Sequence, residues 1–547
     1  MATIAPGGRG RIKPLDAILA TAEKKSLKRS LGAFQLTLLG IGAVIGTGIF
    51  VLTAAAAQKA GPGMMVSFLV AGFVCAVAAL CYSELASMVP VSGSAYTYSY
   101  AVMGEMMAWL VGWALILEYA LGASAVAVGW SGFASGLLDG IGIHLPHALK
   151  VGPQIEWGFL QGGEVGGLFN LPAVLVVAFV TTLLVIGTKE SATFNAVLVI
   201  IKVTALSIFL AVTLPMISGH AQNFEPFAPR GWGNPFSGSG TGILGAAASI
   251  FFAYVGFDAV STAAEETKNP QRNVPIGLIG SLMICTVFYL LVAAGVVGAY
   301  GAQPLLDPAT GEFFKEGSPA LYASAACQAA DMPTVCSKEA LAHILRQVSS
   351  PALGNLVGLA ATLALPSVVL LMMYGQTRVF FVMARDGLLP ERLSAVHPKF
   401  KTPHVVTIVT GCFVAVAAAF LPVGTLADYS NAGTLFAFAA VSLGVMILRR
   451  KDPGRHRPFR TPAIWIVAPV SILGCALLFF NLNVESKLLF LVWAIIGLVL
   501  YFLYGYRHSH VGRGIIDVPE LAAEAPGSVG VAPMPGAPAP GTPDERN

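Results

Sequence analysis

The chain has 547 residues, 56% of them hydrophobic and 11% charged, with a formal net charge of +4 and a mean hydropathy of +0.74. Soluble proteins carry about 25% charged residues, so a water-facing surface cannot be built from this composition, and the net charge is too small to call for a nucleic-acid partner. What remains is one all-α integral membrane domain whose surrounding medium is the lipid bilayer.

Met1 to Ser30 is polar and basic, with neither the early apolar run nor the cleavage pattern of a secretory signal, and is expected in the cytoplasm. Twelve apolar runs follow, each long enough to cross a ~30 Å hydrocarbon core as a helix. They are 34–58, 64–88, 106–136, 172–188, 196–217, 241–264, 276–299, 354–376, 404–422, 425–448, 463–482 and 488–505. An even number puts both termini on one side. Short cytoplasmic loops collect Lys and Arg, and 24 of the 32 fall on the side of the termini, against 7 on the other, with Lys202 alone inside a span. The transmembrane domain is thus 31–505, multi-pass, with the basic 1–30 segment and the 506–547 tail both cytoplasmic. From Pro519 to Asn547, 17 of 29 residues are Pro, Gly or Ala, which reads as a disordered tail. Residues 300–353 form an external loop too long for a connector, where short helices over the outer mouth are expected.

Cys75, Cys81, Cys285, Cys412 and Cys475 lie in apolar runs and read as small buried hydrophobes. Cys327 and Cys336 share the external loop, where an oxidising compartment joins them and a reducing one leaves two thiols.

Between Gly40 and Phe50, glycines at 40, 42, 46 and 48 crowd the middle of the first run, each costing about 1 kcal/mol of helix propensity relative to Ala. Such a cluster points to a helix broken at membrane depth, and unwound backbone there is tolerated only where it lines a cavity. In the sixth run, Phe251 to Asp258 places Gly256 and an acid inside apolar sequence. Breaks at the start of each five-span half, about 34–217 and 241–448, with 463–505 peripheral, mark a transporter binding site. Glycines that merely let helices pack are the alternative, stronger for the sixth run than for the first.

Ionisable groups at membrane depth are functional candidates by default. Lys202 sits among Ile200, Ile201, Val203 and Ala205 and can exchange a proton if buried, or snorkel to the surface. Glu118, in the third run, can pair with Lys202, contact a cationic substrate or hydrogen-bond a neighbouring helix. Asp258 and Glu84 lie nearer the cytoplasmic ends and are expected on loop backbone or the basic inner face. Asp428, near the outer start of the tenth run, reads first as a helix cap and second as a gate residue.

Gly42-Ala43-Val44-Ile45-Gly46-Thr47-Gly48-Ile49-Phe50, Tyr82-Ser83-Glu84-Leu85, Pro90 and Gly93-Ser94-Ala95-Tyr96 resemble the amino acid-polyamine-organocation superfamily. Gly187 to Ser191, Phe252 to Asp258 with Glu265 to Arg272, Gly375 to Arg378, and Arg385 to Pro390 resemble its cationic-amino-acid-transporter branch, so the likeness covers about 31–505. The resemblance implies a leucine-transporter-type fold of two inverted five-helix repeats with helices 1 and 6 broken, followed by two peripheral helices. It implies a substrate carboxylate at Gly46, Thr47 and Gly48, a substrate ammonium at carbonyls of Val44, Phe252, Ala253 and Val255, and Phe252 closing over the amino acid. It also implies proton coupling through Lys202 against the Gly42 carbonyl, while Glu118 is the candidate selector of the substrate side chain from its depth in the third run alone. The energy source is then a proton gradient, with no cofactor and no metal.

The nine histidines fall in loops, tails or span edges, and no phosphate-binding GKS/T motif occurs, so an enzyme is disfavoured. The reading is proton-coupled uptake of an amino acid, cationic or small and neutral, across a plasma or bacterial inner membrane. Amino-acid exchange and non-transporting amino-acid sensing are the alternatives, and the oligomeric state is not readable.

Overall fold

The computed structural model describes residues 11–13, 31–89, 94–157, 160–162, 164, 166–187, 192–264, 267–329, 331–400 and 402–514. In chain order the helices are α1 (Ala33–Val44), α2 (Thr47–Phe50), α3 (Leu52–Ala60), α4 (Met64–Met88), α5 (Ser94–Val102), α6 (Glu105–Gly140), α7 (Leu171–Ile186), α8 (Ala192–Thr213), α9 (Gly242–Ile250) and α10 (Ala259–Thr262). They continue with α11 (Pro270–Tyr300), α12 (Pro319–Ala323), α13 (Ala325–Gln328), α14 (Ala340–Val348), α15 (Pro351–Arg385), α16 (His404–Phe420), α17 (Val423–Lys451), α18 (Ile464–Asn481), α19 (Val484–Leu500) and α20 (Tyr506–His508). Among the described residues, eight helical stretches are long and apolar enough to cross a membrane, and Ala33–Val44, Leu171–Ile186, Gly242–Tyr254 and His404–Phe420 are shorter apolar helices.

Helix ends follow local chemistry. Asn170 caps α7 by accepting from the Ala173 amide, with Pro172 in its first turn, and Gly187 ends it at φ 78°. Ser350 caps α15 and Asn483 caps α19 in the same way. Helix α6 is buried almost throughout and packs along α15 and α17, so it forms the axis of the bundle. Helix α19 is held to its flank by a tryptophan stack. Trp113 and Trp493 lie 4.4 Å apart, each indole N–H donates to the other's carbonyl at 2.8 Å, and Trp109 donates to Gly497 O at 2.8 Å. Large apolar side chains such as Phe73, Leu175, Met283, Leu473 and Leu503 stand more than half exposed around the bundle, a surface that suits lipid and not water.

Several expectations are corrected. The run 34–58 is three helices, because the chain unwinds at Ile45–Gly46 and again at Val51. Residues between the second and third runs form α5, which buries Tyr96, Tyr98 and Tyr100. Helix α15 continues to Arg385, so the segment from 377 begins as helix and not as loop. The connection before α7 carries a small antiparallel hairpin, β1 (Ile155–Trp157) and β2 (Leu160–Gly162), the one sheet among the described residues. Cys412 is exposed on α16, while Cys75, Cys81, Cys285 and Cys475 are buried. Cys327 and Cys336 form a disulfide, in a loop that does carry the short helices α12 to α14. The chain keeps helical turns from 506 to 513 before the remainder of the tail, which lies outside the described residues, as does most of 1–30.

Candidate functional site

The two helix breaks face each other. Ile45 and Gly46 are extended between α1 and α2, and Val255 is extended after the 3-10 turn Phe251–Tyr254, with Gly256 at φ 110°. Glycine is required at 48 by close approach and at 256 by its positive φ as well as a tight contact. A Cβ on Gly48 would lie 2.3 Å from Ala253 Cα, and one on Gly256 would lie 3.0 Å from Ala43 O. From α6, Gly129 presses on the same point: its Cβ would fall 1.7 Å from Thr47 Cγ2.

The structure therefore brings Val44, Gly46, Thr47, Gly48, Phe252, Ala253 and Val255 to one place, and the large members are buried. The amides at the start of α2 have no intrahelical acceptor, and the buried Thr47 hydroxyl has no hydrogen-bond partner among the described residues. Tyr289 of α11 ties the two breaks, its hydroxyl lying 2.8 Å from Val44 O and 2.9 Å from Ala253 O.

Lys202 is buried on α8, and its Nζ donates to Gly42 O at 2.7 Å, with Ser367 Oγ of α15 at 3.4 Å. It does not snorkel. Among the described residues the carboxyl oxygens of Glu118 are buried without a well-formed hydrogen bond to Lys202 or any other group, beside the Thr434 hydroxyl. Asp258, expected on loop backbone or the basic inner face, accepts at its Oδ2 from Tyr119, next to Glu118, at 2.7 Å. Glu84 meets the basic face as expected, accepting from Arg449 twice at 2.7 Å and from the Thr461 amide at 2.8 Å. The motif residues Pro90, Gly93, Thr188 to Ser191, Glu265 and Glu266 lie outside the described residues.

The amino acid permease family model matches residues 31–504. The chain belongs to the amino acid permease family. It is 45% identical over 498 residues to the branched-chain amino acid permease BcaP of Bacillus subtilis, covering 91% of this chain and 97% of that one. It is 40% identical over 504 residues to the methylthioribose transporter of the same organism, covering 92% and 99%. Against the vacuolar cationic amino acid transporter 4 of Arabidopsis thaliana the identity is 35% over 440 residues, covering 78% and 64%. The permease is a multi-pass membrane protein of a transporter family and not an enzyme.

Sequence reasoning missed a second cluster in the permease. Lys59, placed in an external connection, is buried at the end of α3, where its Nζ donates to Ser249 Oγ at 2.5 Å and Asp428 Oδ2 at 2.8 Å, with Glu316 Oε2 at 3.3 Å. Ser249 also donates to Asp428. Asp428 is thus an ion-pair partner and not a cap, and α17 begins after Pro422 with no side-chain cap. Burial raises the Glu316 carboxyl above its usual range, although Lys59 pulls the other way. Next door, Gln58 donates to Leu305 O at 3.1 Å and Phe314 O at 2.9 Å and accepts from the Leu305 amide at 2.9 Å, stapling α3 to the 305–316 segment.

The opposite, basic end is also tied. Arg11 pairs with Glu105 at 3.0 Å and Lys13 with Asp386 at 2.7 Å, and Tyr96 donates to the same Asp386 at 2.8 Å. The only signal for these clusters in the sequence was charge at the edge of apolar runs, because the partners lie up to 373 positions apart.

Proposed function

We propose that the permease is a secondary active transporter that takes up amino acids with protons by alternating access. In this reading it lies in the cell membrane with twelve spans and both termini in the cytoplasm, and its first ten spans form two inverted repeats, about 34–217 and 241–448. The observation that carries the reading is the buried Lys202 ammonium donating to Gly42 O at 2.7 Å, directly below the break of helix 1. A charged Lys202 holds α1 against α8 and α15. Loss of its proton removes the charge-assisted part of that bond, which frees α1 to swing and open the basic end.

The substrate carboxylate takes the amides of Gly46, Thr47 and Gly48 and the unpartnered Thr47 hydroxyl, where the half-helix dipole favours an anion. Its ammonium takes carbonyls of Val44, Phe252, Ala253 and Val255; those of Val44 and Ala253 keep a second lone pair beside Tyr289. Phe252 covers the bound amino acid. The similarity to BcaP supports a neutral aliphatic amino acid as substrate. A cationic amino acid is the second reading, favoured by the Glu118 carboxyl, which is buried without a well-formed hydrogen bond and suited to receive a cation.

The test is uptake of labelled leucine, alanine and arginine into proteoliposomes, with and without an inward proton gradient, for the native chain and Lys202→Ala. Gradient-driven accumulation that Lys202→Ala abolishes is the expected result. Uptake that ignores the gradient and requires amino acid inside identifies an exchanger, and binding without flux identifies a sensor; either overturns the coupling role of Lys202.

A further inference from the structure

We propose that the permease has a binding site for an anionic phospholipid at its basic end, in a groove between the first three turns of α11 and the loop joining α17 to α18. The groove encloses about 570 Å³, with Arg272, Ile276, Ile279 and Gly280 on one wall and Pro458 and Phe459 on the other. Its chemistry changes along its length. Gln271 and Arg272 are exposed at the start of α11, followed by Ile276 one turn on, 43% exposed, and Ile279 another turn on. At 1.5 Å per residue, Arg272 and Ile279 are separated by roughly 10 Å along the helix. That polar-to-apolar order over such a depth matches a lipid headgroup followed by its first acyl methylenes, and not a soluble anion.

The sign of the headgroup follows from the charges. Most basic residues in the last turn of α17 and the adjoining loop are engaged: Arg449 and Arg457 on Glu84, Arg450 over the Trp465 ring, Arg455 on Asp452 and Lys451 on Val102 O. Arg272 in the groove and Arg460, next to Phe459, have no side-chain partner among the described residues, and both are exposed. Two exposed guanidinium groups with no side-chain partner among the described residues, beside an apolar slot, favour phosphate over a zwitterionic head. The other face of α11 packs on α1, where a Cβ on Gly277 would lie 2.9 Å from Leu36 Cβ and one on Gly40 would meet Ser281. A lipid in the groove therefore braces the wall on which α1 rests.

The site is tested on the purified full chain in detergent by adding phosphatidylglycerol or phosphatidylcholine, counting retained lipid by native mass spectrometry and following the melting temperature. One phosphatidylglycerol is expected to be retained in preference, with a rise in melting temperature that phosphatidylcholine does not give. Arg272→Gln should weaken retention about five-fold, the worth of one basic side chain at an anionic surface. Ile279→Trp, which fills the apolar end, should abolish it, and Arg450→Gln should leave it unchanged. Equal retention of the two lipids, an equal loss in Arg450→Gln, or displacement by deacylated glycerophosphoglycerol at the same concentration as the lipid would overturn the site. Should Ile279→Trp fail to fold, Arg272→Gln against Arg450→Gln decides. The readout is binding, so it stands apart from the transport reading.

Discussion

Tyr289 sets one hydroxyl between carbonyls of two different broken helices, Val44 at 2.8 Å and Ala253 at 2.9 Å. Tyr289→Phe leaves both buried carbonyls short of a donor, a loss of about 1–3 kcal/mol, and is expected to lower the melting temperature and weaken amino-acid binding together, as read by substrate-induced thermal shift. The Lys59 cluster makes a sharper case. Breaking a buried pair by removing one partner costs about 3–5 kcal/mol, whereas removing both is far milder. Lys59→Met is therefore expected to destabilise strongly, and Lys59→Met with Asp428→Asn to recover much of the loss in a double-mutant cycle of unfolding. Lys202 and Glu118 were legible as charges deep in apolar sequence, but the role of Lys59 was not. A lysine at the edge of a run reads as solvated until tertiary structure delivers Asp428, Glu316 and Ser249 around it, and Asp428 near a helix start imitates a cap.

The helix breaks were legible because glycine is costly in a helix and four of them crowd one run, although the run's division into α1, α2 and α3 was not drawn. Helix α5 was invisible for the opposite reason: at nine residues it is too short and too rich in tyrosine and serine to give an apolar signal, and it is held by burial of its tyrosines. Gly129 escaped notice because a lone glycine in a long helix is ordinary, and only the approach of α2 makes it special. A methyl group at Gly48 would meet the backbone of Ala253, and one at Gly129 the Thr47 side chain. Gly48→Ala and Gly129→Ala are each expected to abolish amino-acid uptake while circular dichroism reports unchanged helix content, because the loss lies in the fit of the breaks and not in the helices.

Composition and the length of the apolar runs pointed to the class of molecule before any contact was known, while the ties at the two ends of the bundle depended on residues hundreds of positions apart. The end that carries Lys59 has a pH signature. The folded Glu316 carboxyl is raised above its usual value of 4.5, chiefly by burial, so below that value it contributes its full stabilisation, which is lost as pH rises through the folded pKa. Measured as melting temperature against pH, the native chain should lose ground relative to Glu316→Gln as pH climbs above 4.5; parallel curves would refute this.

The Gln58 staple has a consequence for watching the molecule at work. Three hydrogen bonds fix the end of α3 to the 305–316 segment, and the disulfide at 327 and 336 shortens the chain that follows. A tilt of α3 must then carry this surface segment with it as one piece. A fluorophore or spin label placed there would act as a pointer, reporting the angle of a helix whose other end adjoins α2 at Val51, without a single atom added between the helices.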